Sequence, residues 1–534
     1  MTLRYSLLDE PLIGVRLAAN GHRARLSLPA IFAALAEDEV RDFPALRPHQ
    51  RHPWHAFLVQ LAAMALHQAD RSELFVDEPA WRDALLALTP EHPDGAAWCL
   101  IAPIDRPAFL QAPVPEGSLA KWADDTPTPD SLDILVTSKN HDLKQERQSN
   151  AEPNDWIFAL VSLQTAAPYP GKFNYGVMRM NGGSSSRPGL GVQPSGGPGR
   201  RWRRDLRIAL AERLRLVEEQ GYRDAGGIGL LWLSPWDGKS AYSISALDPF
   251  FIEISRRVRL IEEQGRFVVR RTGSIGPRIS KAEAAQRKGN TGDLWTPVER
   301  KSGKSLGVAA RGFHYRRMVD LLFGMNYKWP PAQNLDESDD AEGLAILACA
   351  IAGGNCKTEG YHERRVPISR IVRKRLIAHD TDPLAALAKA RVAEIAQIRT
   401  VLWSALGTLF DNDASKDRFS DGAKDKASRF ATPFEQGEDA RFFDGPLGLN
   451  AEIESEAPEA LRLAWYRSMA ERAEAILLNA FEAGPRSAEQ RYRARAAALS
   501  RFHGGLCGDK VPPALAQDYR NRQTPQGDTH HASK

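Results

Sequence analysis

The sequence predicts an α+β protein: a mixed N-terminal globular domain followed by a C-terminal antiparallel four-helix bundle. Three observations carry this. The chain has 534 residues, more than one hydrophobic core serves, so two or more domains are expected. Its first part alternates short β-rich runs and turn signals with helical patterns. Its last third consists of long amphipathic segments joined by short links. The change of character falls near residue 380. It places an α+β domain over 1–379, a helical bundle over 380–515 and a polar, disordered tail over 516–534.

The elements follow in order. "YSLLDEPLIGVRLAANGHRARLSL" reads as strand, turn and strand, with Val15 and Leu17 on one side of Asn20-Gly21 and "ARLSL" on the other. "SLPAIFAALAED" then starts a helix with Ser27 as N-cap and Pro29 in its first turn. "PWHAFLVQLAAMALHQA" repeats its apolar residues on a helical period. Between Pro113 and Asn154 periodicity is lost, and a polar loop is expected there, most cationic in "TSKNHDLKQERQSN". "DWIFALVSLQTA" reads as a short buried helix. It leads into "GKFNYGVMRMNGGSSSRPGLG", residues 171–191, which is flexible, cationic and aromatic and carries no acid. "GLLWLS" and "FFIEISRRVRLI" read as strands, and "GRFVVRRTG" reads as a partner of the latter through Glu262–Gln264 and Gly265.

The bundle opens at Asp382 as N-cap with Pro383 in the first helical position. Leu384, Leu387, Ile395, Ile398, Leu402, Leu406 and Leu409 make one apolar stripe. "KDKASRFATPFEQGEDARF" reads as a shorter helix interrupted by Pro433. "APEALRLAWYRSMAERAEAILLNAFEAG" and "SAEQRYRARAAALSRFHGGL" read as long amphipathic helices.

Composition excludes several classes. A hydrophobic content of 43% fits a globular chain, and no apolar run is long enough to span a bilayer. The opening "MTLRYSLLDEPLIGV" lacks the plan of a signal peptide. Cys99, Cys349, Cys356 and Cys507 are scattered, with no CxxC pair. Neither a disulfide framework nor a structural zinc site is expected, and the cytoplasm is the expected compartment. The net charge of +4 is small, but its distribution is uneven. Lys281 to Arg317 holds nine Lys/Arg against three acids. Arg200, Arg201, Arg203, Arg204 and Arg207 surround Trp202, and a third group runs from Arg364 to Arg375. One such group is ordinarily a solvated face. Three, each near an irregular segment, point to a polyanion partner.

Catalytic motifs fail on inspection. "GGNCKTEG" places Cys356 before Lys357 where a phosphate loop needs glycine. "NGGSSSRPG" is no nucleophile elbow. No HExxH or close acidic cluster suggests a metal site. No catalytic residue, metal or cofactor is expected. In the glycine-rich segment, backbone N–H groups, Lys172, Arg179, Asn174, Phe173 and Tyr175 are the parts of a backbone-tracking or minor-groove contact; a surface loop has the same composition.

The order of these features resembles the CasA family, the large subunits of the type I-E CRISPR surveillance complex Cascade. "LLDEPLIGV…RLSLPAIFAAL" is similar to that family's opening hairpin and helix. "LQTAAPYPGKFNYGVMRMNGG" is similar to its glycine-containing loop, and "GGNCKTEGYHERRVPI" to its wedge hairpin. The helical last third is similar to its four-helix bundle. The resemblance implies a non-enzymatic subunit that reads the protospacer-adjacent motif (PAM) in double-stranded DNA. It further implies strand separation and R-loop formation, and recruitment of a helicase-nuclease in trans. Its other implied partners are the guide crRNA and further Cascade subunits, with no membrane. By the same resemblance Gly171 and Lys172 approach the PAM minor groove, with Lys301 or Lys304 beside them; Asn174 joins this DNA-binding set for its amide. Lys357, Thr358 and Glu359 form the wedge tip, and Lys139, Asn140, His141 and Lys144 grip the guide end. The competing readings are a stand-alone nucleic-acid-binding protein or nuclease-like enzyme, and a protein-only scaffold.

Overall fold

The computed structural model describes residues 2–126, 128–135, 148–169, 171–181, 185–324, 326–339, 343–354, 358–411, 419–485 and 487–523. Lys139, Asn140, His141, Lys144 and Lys357 lie outside them. The chain divides into two compact units, 1–313 with 324–365, and 314–323 with 366–534.

The first unit is mixed. Its central element is the helix Arg51–Gln68, buried without a break from His52 to Leu66. A helix that is apolar all round is an interior helix. Around it lie the helices Glu78–Ala87, Pro153–Ala166 and Pro198–Gln220 and the strand Leu247–Ile252. The opening hairpin forms as expected: Ile13–Leu17 pairs antiparallel with Arg23–Leu26, with Gly21 at φ +71 in the turn. Ser27 caps the helix Leu28–Ala36, its hydroxyl accepting from the Ala30 N–H at 3.1 Å. Where "FFIEISRRVRLI" read as one strand, there are two, Leu247–Ile252 and Arg257–Glu263, with a break at 253–256. The second pairs with Arg266–Thr272 through Gln264 and Gly265, both at positive φ, the turn that matches strand twist. The expected polar loop contributes a third strand, Ala123–Thr126, on the far side of that hairpin. Another three-stranded sheet has the order Thr358–Pro367, Ala345–Gly353, Gly189–Gln193.

The second unit is helical. Asp382–Phe410 packs against Asp421–Arg441, Pro458–Ala480 and Ala488–Leu506. Every member of its expected stripe is buried except Leu387, which is half-buried. Asp421–Arg441 runs through Pro433 without interruption. Ala427, Ala431, Phe434 and Glu438 keep one face buried across the exposed proline. The unit starts at Val366 rather than at 380 and takes in the helix Tyr315–Leu322. That helix is held by the Asp439 carboxylate, which accepts the Tyr315 N–H at 2.6 Å. A 5.0 Å stack of Tyr315 on Phe442 and an Arg316–Glu435 ion pair at 3.0 Å complete the contact. Residues 513–523 form a helix where a disordered tail was expected from 516. Arg467, on Pro458–Ala480, holds Asp518 of that helix with two hydrogen bonds, at 2.9 and 2.5 Å.

Candidate nucleic-acid interface

The glycine loop leaves the buried helix Pro153–Ala166 and returns where the Val177 N–H donates to the Ala167 carbonyl at 3.1 Å. Residues 171–174 make a tight turn, closed by the Asn174 N–H on the Gly171 carbonyl at 3.1 Å. Gly171 sits at φ +154, and no atom lies within 4 Å of the place a Cβ would take. Phe173 adopts φ +72, a costly conformation for an aromatic residue, and stays 47% exposed. It is held there from three sides. Its carbonyl accepts the Ser274 N–H at 3.0 Å, Gly273 leaves room for its Cβ, and the Tyr175 hydroxyl donates to the Ile275 carbonyl at 2.7 Å. Lys172 Nζ lies 4.9 Å from the Phe173 ring and Lys281 Nζ 5.6 Å from the Tyr175 ring. Under the loop is a cleft of about 280 Å³, lined by Tyr175, Met178, Met180, Glu253, Lys281 and Lys288.

Arg179 does not belong to this surface. It is buried, with its guanidinium 3.7 Å from the Phe251 ring centroid, and it donates to the Phe251 carbonyl at 2.9 Å and to Glu253 at 3.4 Å. Burial pushes the Glu253 carboxyl up, against the pull of Arg179 and of the Met178 N–H.

Lys301 and Lys304 lie in a turn closed by the Gly303 N–H on the Glu299 carbonyl at 2.9 Å and the Glu299 N–H on the Lys304 carbonyl at 2.8 Å. Gly303 takes φ +68, which this turn requires. Lys301 is exposed and Lys304 half-buried. The four residues after Lys304 tie the neighbouring segments together. The Ser305 carbonyl accepts from the Asn181 amide at 3.0 Å, and its N–H donates to the Lys288 carbonyl at 3.1 Å. The Val308 carbonyl accepts the Gly353 N–H at 2.9 Å. The exit of the glycine loop, the lysine turn and the neck of the hairpin thus share one strut.

In that hairpin Thr358 is 6% exposed, and among the described residues its buried hydroxyl has no hydrogen-bond partner. The Glu359 carboxylate lies over Gly354, so close that a Cβ there would collide with it. The guide-end candidates lie outside the described residues, and their flanks lie within them. Arg47 donates to Asp133 at 2.9 Å and to Gln148 at 2.9 Å, tying together the residues on either side of 136–147. His49 Nε2 lies 2.7 Å from Asp133. Burial pushes the Asp133 carboxyl up, but the His49 contact and the Arg47 charge outweigh it and hold it below the usual range.

The Arg200–Arg207 group is largely structural. Arg204 is bidentate on Asp339 at 2.7 and 2.9 Å, Arg207 meets Asp336 at 2.8 Å, and Arg200 meets Asp38 at 3.3 Å. Arg203 donates to the Leu35 and Ala36 carbonyls at a helix C-terminus. These partners are remote in sequence, so the patch read as basic. Lys281 and Lys288 were in a basic stretch, but nothing local in the sequence brings them to the glycine loop.

The model of the CRISPR-associated protein Cse1 family matches residues 6–476. The chain belongs to the Cse1 family. It is a CasA-family large subunit of type I-E Cascade. The fold agrees with solved Cse1 structures. CasA (Cse1) of Thermus thermophilus matches at 15% identity and TM-score 0.61, covering 95% of this chain and 99% of that one. Cse1 of Acidimicrobium ferrooxidans matches at 15% identity and TM-score 0.61, covering 98% and 100%. Cse1 of Thermobifida fusca matches at 14% identity and TM-score 0.55, covering 97% and 99%. No curated protein sequence matches the chain. Among the described residues no helix is long and apolar enough to cross a membrane, and no group of three or more His, Cys, Asp or Glu could hold a metal ion.

Proposed function

We propose that this Cse1-family chain is the non-catalytic subunit that reads the PAM of double-stranded target DNA and begins strand separation and R-loop formation. The observation that carries the reading is the shared strut. Three segments that would contact DNA in succession are joined through residues 305–308. Gly171 and Asn174 offer backbone and amide to a narrow groove, with Lys172 beside them. Lys301 and Lys304 supply cations, and the hairpin tip at Lys357, Thr358 and Glu359 follows as a wedge. The minor groove carries a degenerate code, so such contacts read a short motif loosely, and guide pairing supplies the remaining specificity. Lys139, Asn140, His141 and Lys144 grip the crRNA end of the complex from the segment that Arg47 ties at both flanks. Other Cascade subunits complete the assembly, and a helicase-nuclease is recruited in trans.

The test is salt titration of the assembled complex on a fluorescent PAM duplex. Lys301→Ala and Lys304→Ala should each weaken binding and lower the slope of log K against log salt by about 1. Weakened binding with an unchanged slope in both variants would remove the turn from the phosphate-contacting surface.

A further inference from the structure

Away from the glycine loop, the first unit holds a cavity of about 470 Å³ with an unbalanced charge. It lies between the starts of the helices Arg51–Gln68 and Pro198–Gln220 and the sheet residues Cys349, Tyr361 and Glu363. Four arginines line it: Arg16, Arg41, Arg51 and Arg201. Two acids line it, and both are engaged. Asp42 lies 3.3 Å from Arg16, and Glu363 accepts the Tyr361 hydroxyl at 2.7 Å. Among the described residues neither Arg41 nor Arg51 has an acid within ion-pair distance.

Arg201 is the anomaly. Its side chain is only 12% exposed, and its one acidic neighbour among the described residues is Asp205 at 3.8 Å. That carboxylate already accepts from Trp295 at 2.8 Å and Arg204 at 3.3 Å, and lies 2.8 Å from His55. Other buried guanidiniums of this chain are engaged at short range: Arg204 with Asp339 at 2.7 Å, Arg213 with Asp248 at 2.7 Å and Arg391 with Glu452 at 2.9 Å, while Arg259 and Arg278 donate to backbone carbonyls, of Ala102 and Ser234, at 2.9 Å. A buried cation without a close counter-ion is costly.

The backbone adds the same sign. Gly196, Gly197 and Pro198, at the start of the 23-residue helix, line the cavity too. That terminus has no side-chain cap and no acid in its first turn. Asp38 lies beside Gly199 and is held by Arg200 at 3.3 Å. His52 also lines the cavity, 5% exposed, with no partner among the described residues for either ring nitrogen. Guanidiniums lining a cavity beside a helix N-terminus are elements of an oxyanion site.

We propose that this cavity binds the oxyanion of a phosphate ester, held by Arg201 at its inner end and by Arg41 and Arg51 at its rim. The volume admits more than a bare phosphate and falls in the range of small-ligand sites. Two sources share this chemistry: a small phosphate-bearing molecule, and a phosphate of the guide RNA. The proposal does not depend on the duplex-reading role, because anion binding is measured on the chain alone.

The experiment is calorimetric titration of the purified full chain with inorganic phosphate at constant ionic strength. Saturable binding is expected, with Kd raised about tenfold or more by Arg201→Gln and by Arg51→Gln, a loss of about 1.4 kcal/mol. Arg207→Gln, on the same helix but outside the cavity, should leave Kd unchanged. Arg51 is exposed, so its variant remains informative if Arg201→Gln fails to fold. No saturable binding, or binding indifferent to both cavity variants, overturns the proposal. Repeating the titration on guide-bound complex separates the sources. Lost phosphate binding assigns the site to the RNA backbone, and retained binding assigns it to a small anion.

Discussion

At the scale of single residues, the loop 171–174 separates backbone requirement from charge. Gly171 occupies φ +154 with open space around its missing Cβ. Gly171→Ala therefore meets no clash and carries only conformational strain, on the order of 1–3 kcal/mol. Gly171→Asp carries the same strain and adds a carboxylate. If the residue approaches a phosphate backbone, the aspartate should weaken PAM-duplex binding of the assembled complex well beyond the alanine. That excess should shrink as salt screens the repulsion. Equal effects of the two variants at all salt concentrations would reduce Gly171 to a conformational role. The sequence identified Lys172, Asn174 and Phe173 through composition alone. It could not show that Phe173 is fixed at a positive φ with its ring outside, because that depends on Gly273 and Ser274, a hundred residues away. Nor could it separate Arg179, drawn inward by Glu253 and Phe251, from the cations that stay at the surface.

At the scale of elements, local rules worked where the chain interacts with its near neighbours. Ser27 caps its helix, and Gln264-Gly265 turns its hairpin. They failed at Pro433, where a continuous buried face of Ala427, Ala431, Phe434 and Glu438 overrides the missing N–H. They do not reach Thr358 and Glu359 of the hairpin, which come from resemblance and whose burial is set by the sheet. Thr358 is inside, and its hydroxyl has no partner among the described residues. Removing a buried, unpartnered hydroxyl at constant shape is close to neutral or stabilising. Thr358→Val should therefore leave strand opening at its normal rate, whereas Lys357→Ala should slow it. The readout is a fluorescent base analogue beside the PAM, followed after mixing duplex with the assembled complex. Slow opening in Thr358→Val would mean that the hydroxyl leaves its buried position to meet DNA, and the hairpin would need to open for the wedge to act.

At the scale of the whole molecule, the sequence showed two kinds of architecture but not where one gives way to the other. A cut at 380 follows the onset of long helical periodicity. The helical unit instead begins at Val366 and incorporates 314–323, a segment embedded in the sequence of the other unit. Its anchors are tertiary: Asp439 accepting the Tyr315 N–H, Phe442 stacking on Tyr315, and Glu435 pairing with Arg316. The position of Tyr315 in the chain gives no sign of any of them. Tyr315 is 1% exposed, so Tyr315→Ala leaves a large cavity against Asp421–Arg441. The cost should be about 3–5 kcal/mol, by analogy with Phe→Ala in other cores. A single midpoint for a chain of two units would obscure where that loss falls. Native-state amide exchange resolves it, because protection reports local and sub-global opening. Protection in Asp421–Arg441 should fall in Tyr315→Ala, while protection in the interior helix Arg51–Gln68 of the other unit stays as it was. Equal loss in both helices would mean that the units unfold together. Unchanged exchange in Asp421–Arg441 would mean that the Tyr315 segment is not part of the helical unit's stability.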